Sequence, residues 1–204
     1  MKNSKSSALI IFQKSFISGK VKTRLAKTLG DEKALSVYKK LVEITYDQIP
    51  TDLLDVLIWF TPAIEKLNHP LHERASFYIQ KGDELGSRMV NSFESAFRSG
   101  FEKVLIIGTD CPFITADIYR KAIEMLDDND YVIGPANDGG YYLLGAKESP
   151  EEIMKNIEWG TDTVLRSTLK LIEQEGKTHS LLVDLSDIDD AEDYKEFEAI
   201  FTKK

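Results

Sequence analysis

Residues 104–112 read Val104-Leu105-Ile106-Ile107-Gly108-Thr109-Asp110-Cys111-Pro112. Four consecutive apolar residues, β-branched or branched at Cγ, describe a short strand buried on both faces. The run then breaks at a glycine, and a carboxylate follows three residues after the last apolar side chain. Runs of the same kind recur at 8–12, 56–60, 77–80, 131–133, 141–144 and 181–183. Between them lie longer stretches with helical spacing. Residues 33–48 place Ala34, Val37, Tyr38, Leu41 and Ile44 on one face, and 84–98 do so with Met89, Phe93 and Phe97. Further helices are expected over 115–126, 163–175 and 191–201, and a helix entering near Thr23. Alternating strands and helices define an α/β protein with a mostly parallel central sheet covered by helices on both faces. Such sheets bind ligands beyond the carboxyl ends of their strands, so the loops after strands are where chemistry is sought.

The length, 204 residues, suits one compact domain spanning 1–204, and no linker, repeat or low-complexity tract divides it. With 26 Lys and Arg against 34 Asp and Glu, the net charge of −8 argues against a nucleic-acid binder. Residues 1–40 nevertheless carry ten basic groups and two acids, whereas 184–198 carry eight acids and one Lys. Cys111 is the single cysteine, which excludes an internal disulfide and a multi-cysteine zinc site. No apolar run approaches a secretory core or a membrane span, so a soluble, cytoplasmic protein is expected.

Four loops can carry chemistry. Residues 13–25, QKSFISGKVKTRL, put Lys14, Lys20, Lys22 and Arg24 after the first strand and before a helix, an arrangement suited to phosphate. The stretch is neither a Walker A loop nor a G-x-G-x-x-G fingerprint, and a solvated basic loop is the plainer alternative. Asp110 is placed to offer oxygen to Mg²⁺ or Mn²⁺ together with diphosphate and water, or else to cap a turn before Pro112. Asp138-Gly139-Gly140 allows a ligand close to the backbone, or a tight hairpin. Asp138 follows the strand after the one bearing Asp110, so the two acids can meet in one crevice. Residues 187–193, Asp187-Ile188-Asp189-Asp190-Ala191-Glu192-Asp193, hold more acids than a helix start requires, and one of them is a plausible second metal ligand. Trp159 can shelve a ring or simply pack, and Cys111 has no nearby His to make it a nucleophile.

In this order, the loops resemble those of the nucleotide-diphospho-sugar transferase superfamily with the GT-A fold. Within it, they are most similar to the bacterial glycosyltransferase-like family DUF2064. The resemblance rests on V-K-T-R-L at 21–25, G-x-x-L-G-x-R-M at 82–89, I-G-T-D-C-P at 107–112 and G-P-A-x-D-G-G-Y-Y-L at 134–143. A D-x-D element shared with cytidylyltransferases falls at 187–194, with Asp190-Ala191 where Thr-Pro is usual. The basic loop also lacks the prolines the family carries before Gly19. The resemblance implies a Rossmann-like sheet with a nucleotide over its first half. It gives Asp110 and Asp189 (or Asp187) as metal ligands, and Lys22 and Arg24 as phosphate ligands. Thr23, Arg88, Gly108, Gly139 and Gly140 are further substrate-binding candidates in the matched motifs, and Asp138 is the candidate to position or deprotonate an acceptor hydroxyl. The function so implied is metal-dependent glycosyl transfer from a nucleotide-diphospho-sugar. Nucleotidyl transfer from an NTP with release of pyrophosphate, or nucleotide binding without catalysis, are the alternatives. An exposed edge strand could also support a homodimer.

Overall fold

The computed structural model describes residues 6–65 and 67–201. Lys2 and Lys5 of the basic N-terminal segment lie outside the described residues. Seven strands form one sheet: β1 (Ser7–Lys14), β2 (Asp55–Thr61), β3 (Ser76–Ile79), β4 (Lys103–Ile107), β5 (Tyr131–Pro135), β6 (Tyr141–Ala146) and β7 (His179–Leu181). Their spatial order is β3-β2-β1-β4-β6-β5-β7. All pairings are parallel except those of β6, which runs antiparallel to both β4 and β5. The Asp-Gly-Gly turn therefore does make a hairpin, and the hairpin folds back between its own first strand and β4.

Helices cover both faces, as the apolar strand runs demand. They are α1 (Thr23–Leu29), α2 (Asp31–Asp47), α3 (Leu85–Arg98), α4 (Ala116–Asp128), α5 (Glu151–Met154), α6 (Val164–Gln174) and α7 (Ala191–Phe201). On one face Leu9, Ile11, Ile58 and Leu105 pack with Tyr38, Val42 and Tyr46 of α2 and with Tyr119, Ala122 and Leu126 of α4. On the other, Ala8, Ile10, Val104 and Leu144 pack with Met89, Phe93 and Ala96 of α3, Ile153 of α5 and Ile172 of α6. The period-2 alternation along β1 thus sends odd residues to α2 and α4, and even residues to α3 and α6.

A third cluster fixes the site. α2 is apolar over two stripes, and its second, formed by Ala34, Val37, Leu41 and Ile44, meets Leu25 of α1 together with Ile188 and Phe197. The acidic segment before α7 is thereby pinned beside the basic loop, across 167 residues of sequence. This explains how one end of the chain, rich in Lys, and the other, rich in Asp and Glu, come to share a surface.

Two expectations shift. The last strand is His179–Leu181 rather than 181–183; the chain leaves the regular ladder after Leu181, and Leu182 and Leu185 donate singly to the carbonyls of Ile133 and Pro135. The four-residue α5 goes unannounced by the sequence, being too short to show a helical period. Among the described residues no helix is long and apolar enough to cross a membrane.

Candidate active site

A cleft of about 650 Å³ opens at the carboxyl ends of β1 and β4. Of the residues singled out from sequence, Lys22, Thr23, Arg24, Arg88, Gly108, Asp110, Asp138, Gly140 and Asp189 all line it. Gly139 does not. It turns the loop at φ +88°, where an added Cβ would collide with the Asp162 carbonyl oxygen, and its own carbonyl accepts from Leu165 N at 2.9 Å. Gly139 thus docks the start of α6 against the hairpin, and supports the cleft without touching its interior.

Lys22 occupies the centre of one wall. Its backbone is left-handed (φ 46°, ψ 48°) as the N-cap of α1. The side chain is only 4% exposed, and the ammonium lies 2.6 Å from Asp110 Oδ1 and 3.0 Å from Asp189 Oδ1. An ammonium buried to this degree needs such partners, because desolvation otherwise disfavours its charge. Burial pulls its pKa down, and the two carboxylates outweigh that and hold it above the ordinary lysine value. Arg24 reaches Asp189 Oδ2 at 3.7 Å from a largely exposed position.

In this arrangement the Lys22 ammonium is engaged by carboxylates. Among the described residues, the cations of the cleft without a carboxylate partner are instead Lys14 and Arg88. Arg88 sits on the opposite wall, in the first turn of α3, and is oriented by donation from Nε to the Gly82 carbonyl at 2.9 Å. Beside it Trp159 packs edge-on against Tyr141 and lies against Gly86, where a Cβ would come within 2.9 Å of the indole nitrogen. Trp159 both packs and lines the cleft, so the two readings of it are compatible.

Asp187 is the most perturbed acid. Burial raises its pKa to about 7; Asp110, Asp189 and Asp138 push the same way, and Lys22 opposes them. Its Oδ1 is buried without a hydrogen-bond partner among the described residues. Asp138 is exposed at the hairpin tip, where its Oδ1 accepts from Gly140 N at 2.9 Å. The backbone of the acidic segment is fixed by Ile188 N donating to Asp110 O at 2.9 Å and by Tyr142 OH donating to Val183 O at 2.9 Å. Cys111 is buried and its thiol is pushed up to about 12, chiefly by desolvation, which removes it from nucleophilic chemistry near neutral pH.

Tyr38 is a site residue that sequence pattern hides within the apolar stripe of α2. Its hydroxyl donates to Lys14 O at 3.2 Å and accepts from Lys14 N at 2.9 Å and from Thr109 Oγ1 at 3.3 Å. It ties together the ends of β1 and β4, the two strands between which the cleft opens. The available signal is chemical rather than periodic, since a tyrosine on a buried stripe needs a partner for its hydroxyl.

Among the described residues no group of three or more His, Cys, Asp or Glu stands ready to hold a metal ion. Asp110 and Asp189 are both turned onto Lys22. The chemistry of the donor set still fits a hard divalent cation. Asp110 and Asp189 both turn an oxygen to one buried ammonium while remaining open to the cleft, and Asp187 beside them keeps one carboxyl oxygen unpartnered among the described residues.

The architecture is one shared by nucleotide-handling transferases. A protein from Desulfovibrio desulfuricans G20 named as a candidate nucleotide-diphospho-sugar transferase is 28% identical, with a TM-score of 0.86 over 96% of this chain and 87% of that one. The 4-diphosphocytidyl-2C-methyl-D-erythritol synthase of Anaerococcus prevotii DSM 20548 is 14% identical, with a TM-score of 0.64 over 96% and 98% of the two chains. The 2-C-methyl-D-erythritol 4-phosphate cytidylyltransferase of Thermus thermophilus is 15% identical, with a TM-score of 0.61 over 95% and 97%. The last two likenesses concern the fold. Among curated proteins none matches the chain in sequence. The model of the bacterial family DUF2064, described as uncharacterized proteins conserved in bacteria, matches residues 45–161, more than half of the chain. The chain belongs to that family.

Proposed function

We propose that the protein is a transferase taking a nucleotide donor in the cleft at the ends of β1 and β4, and that it transfers a glycosyl group from a nucleotide-diphospho-sugar. The observation that carries this reading is the meeting, in one cleft, of cations without carboxylate partners among the described residues, Lys14 and Arg88, with the carboxylates of Asp110, Asp187 and Asp189. A diphosphate needs cationic and hydrogen-bonding groups, and a divalent ion needs hard oxygen. Mg²⁺ or Mn²⁺ held by Asp110 and Asp189, with Asp187 beside them, would neutralise charge gathering on the departing diphosphate. Lys14 binds the phosphate oxygens, joined by Arg24, which is largely exposed and reaches Asp189 only at 3.7 Å. Thr23, Gly108 and Gly140 shape the backbone against the donor.

In this reaction the bond from the anomeric carbon to the diphosphate oxygen breaks, and a bond to an acceptor oxygen forms. Asp138 keeps one carboxylate oxygen on Gly140 N–H and has the other available to take the acceptor hydroxyl proton. Arg88 and Trp159 on the facing wall orient the transferred group.

Nucleotidyl transfer is the second reading. It is favoured by the number of cations in the loop after β1, which suits a triphosphate, and by the fold held in common with cytidylyltransferases. The two reactions release different products. Incubation of the protein and Mg²⁺ or Mn²⁺ with nucleotide-sugars and with NTPs, with acceptor pools, is expected to release nucleoside diphosphate. Pyrophosphate release would establish nucleotidyl transfer instead, and saturable binding with neither product would establish a binding module.

A further inference from the structure

We propose that Lys22 is the resident cation of the carboxylate site, and that a divalent ion takes Asp110 and Asp189 only by displacing the Lys22 ammonium, which is thereby freed for the donor phosphates. The inference rests on the metal-dependent reading above and adds an order to it.

The geometry requires a choice between the two cations. Nζ of Lys22 lies 2.6 Å from Asp110 Oδ1 and 3.0 Å from Asp189 Oδ1, so the ammonium stands where a bridging ion would find its first two oxygens. The carboxylates are accessible all the same. Asp110 is 45% exposed and Asp189 39%, against 4% for Lys22, so an ion approaching from the cleft meets the acids before the ammonium. Charge favours the exchange. Asp110 and Asp189 share the Lys22 ammonium, with Arg24 touching Asp189 only at 3.7 Å, and a doubly charged ion placed between the two carboxylates attracts them more strongly than an ammonium does.

The displaced ammonium is best compensated when a polyanion is present in the cleft. A charge on an otherwise buried side chain cannot be left unpaired without a large penalty, and once an ion holds Asp110 and Asp189 the acid still within electrostatic reach of the ammonium is Asp187, which lies beside the same ion. The donor diphosphate supplies the anion. Metal and nucleotide should therefore each bind weakly alone and strengthen one another, a coupling that thermodynamic linkage makes reciprocal. It also returns Lys22 to the phosphate role that the basic loop suggests, with the ion pair as the resting arrangement.

Two measurements on the protein test this. The Lys22 ammonium, buried and doubly hydrogen-bonded, should give a slowly exchanging lysine ¹⁵N–¹H correlation, assigned by its loss in Lys22→Met. Addition of Mg²⁺ with ADP or UDP should shift or remove that signal; a signal unchanged while Mg²⁺ and nucleotide bind overturns the exchange and leaves the metal-dependent reading standing. In the second, Mn²⁺ binding without nucleotide is followed by electron paramagnetic resonance. Lys22→Met should bind Mn²⁺ roughly tenfold or more tightly than wild type, within the usual range of site coupling, and nucleotide should strengthen Mn²⁺ binding less in the variant than in wild type. Equal affinity in the two proteins overturns the proposal. Failure of Mn²⁺ to bind either protein, with or without nucleotide, overturns both it and the metal-dependent reading. Circular dichroism of Lys22→Met, and the same titrations on Lys22→Gln, guard against a folding defect.

Discussion

Asp187→Asn should change how stability depends on pH, in a direction fixed by the burial of that carboxyl group. In the folded protein its pKa is about 7 against an ordinary 3.8, chiefly through desolvation and next through Asp110. Below pH 3.8 the group is protonated in both states and contributes no difference. Between 3.8 and 7 the unfolded chain gives up its proton while the folded one keeps it, so stability falls as pH rises. Above about 7 both forms are ionised and the loss is complete. A shift of about three units at about 1.4 kcal/mol each amounts to about 4 kcal/mol at most. An amide cannot ionise, so Asp187→Asn removes this slope, together with the repulsion between Asp187 and Asp110, Asp189 and Asp138. Urea unfolding of both proteins from about pH 4 to about pH 8, with chelator to exclude metal, should show near-equal stability at the acid end. The variant should draw ahead through neutral pH and stay ahead by a constant margin beyond. A difference between the two proteins that does not change with pH would refute the assignment of a buried, protonated Asp187.

Three other outcomes follow from the geometry. Gly139→Ala combines a positive φ with a Cβ that collides with the Asp162 carbonyl, and should cost about 2 kcal/mol or more in urea unfolding and depress transfer by loosening the hairpin that carries Asp138. Tyr38→Phe removes the hydroxyl joining Lys14 to Thr109 and should cost about 1 kcal/mol of stability; a greater proportional loss in nucleotide affinity than in stability, by calorimetry, is the mark of its site role. Arg88→Ala breaks only the donation to the Gly82 carbonyl on a half-exposed helix turn, so melting should hardly move while the KM for the donor or acceptor rises roughly tenfold or more in steady-state assays.

The strands β1, β2 and β4 are legible in sequence because both their faces are buried, which leaves little but Val, Ile, Leu and Phe at those positions. β7 is not, because it lies at the sheet edge with Leu181 partly exposed and too few residues to show alternation. The reversed direction of β6 is only half written. Asp-Gly-Gly announces a tight turn, but nothing local says that the returning strand will insert beside β4. At the site, residue types mark the loops, since acids and bases past strand ends are chemically conspicuous. Their partners are not marked. Membership of a basic loop points Lys22 toward phosphate, whereas its pairing with Asp189 spans 167 residues and depends on Ile188 and Phe197 packing onto α1 and α2. Asp187 and Asp189 cannot be told apart by sequence. Burial separates them, Asp187 being enclosed with one oxygen unpartnered among the described residues and Asp189 turned onto Lys22 and Arg24.

The central claim is that the carboxylate site in the cleft binds a nucleotide through a divalent ion. Its most direct test is calorimetric titration of wild-type protein and Asp110→Ala with the ribonucleoside triphosphates and nucleotide-diphospho-sugars, each with Mg²⁺, with Mn²⁺ and with chelator. The account predicts at least one nucleotide that binds wild type only when the ion is present, and binding that Asp110→Ala abolishes. Affinity unchanged by the substitution, or by removal of the ion, would contradict it.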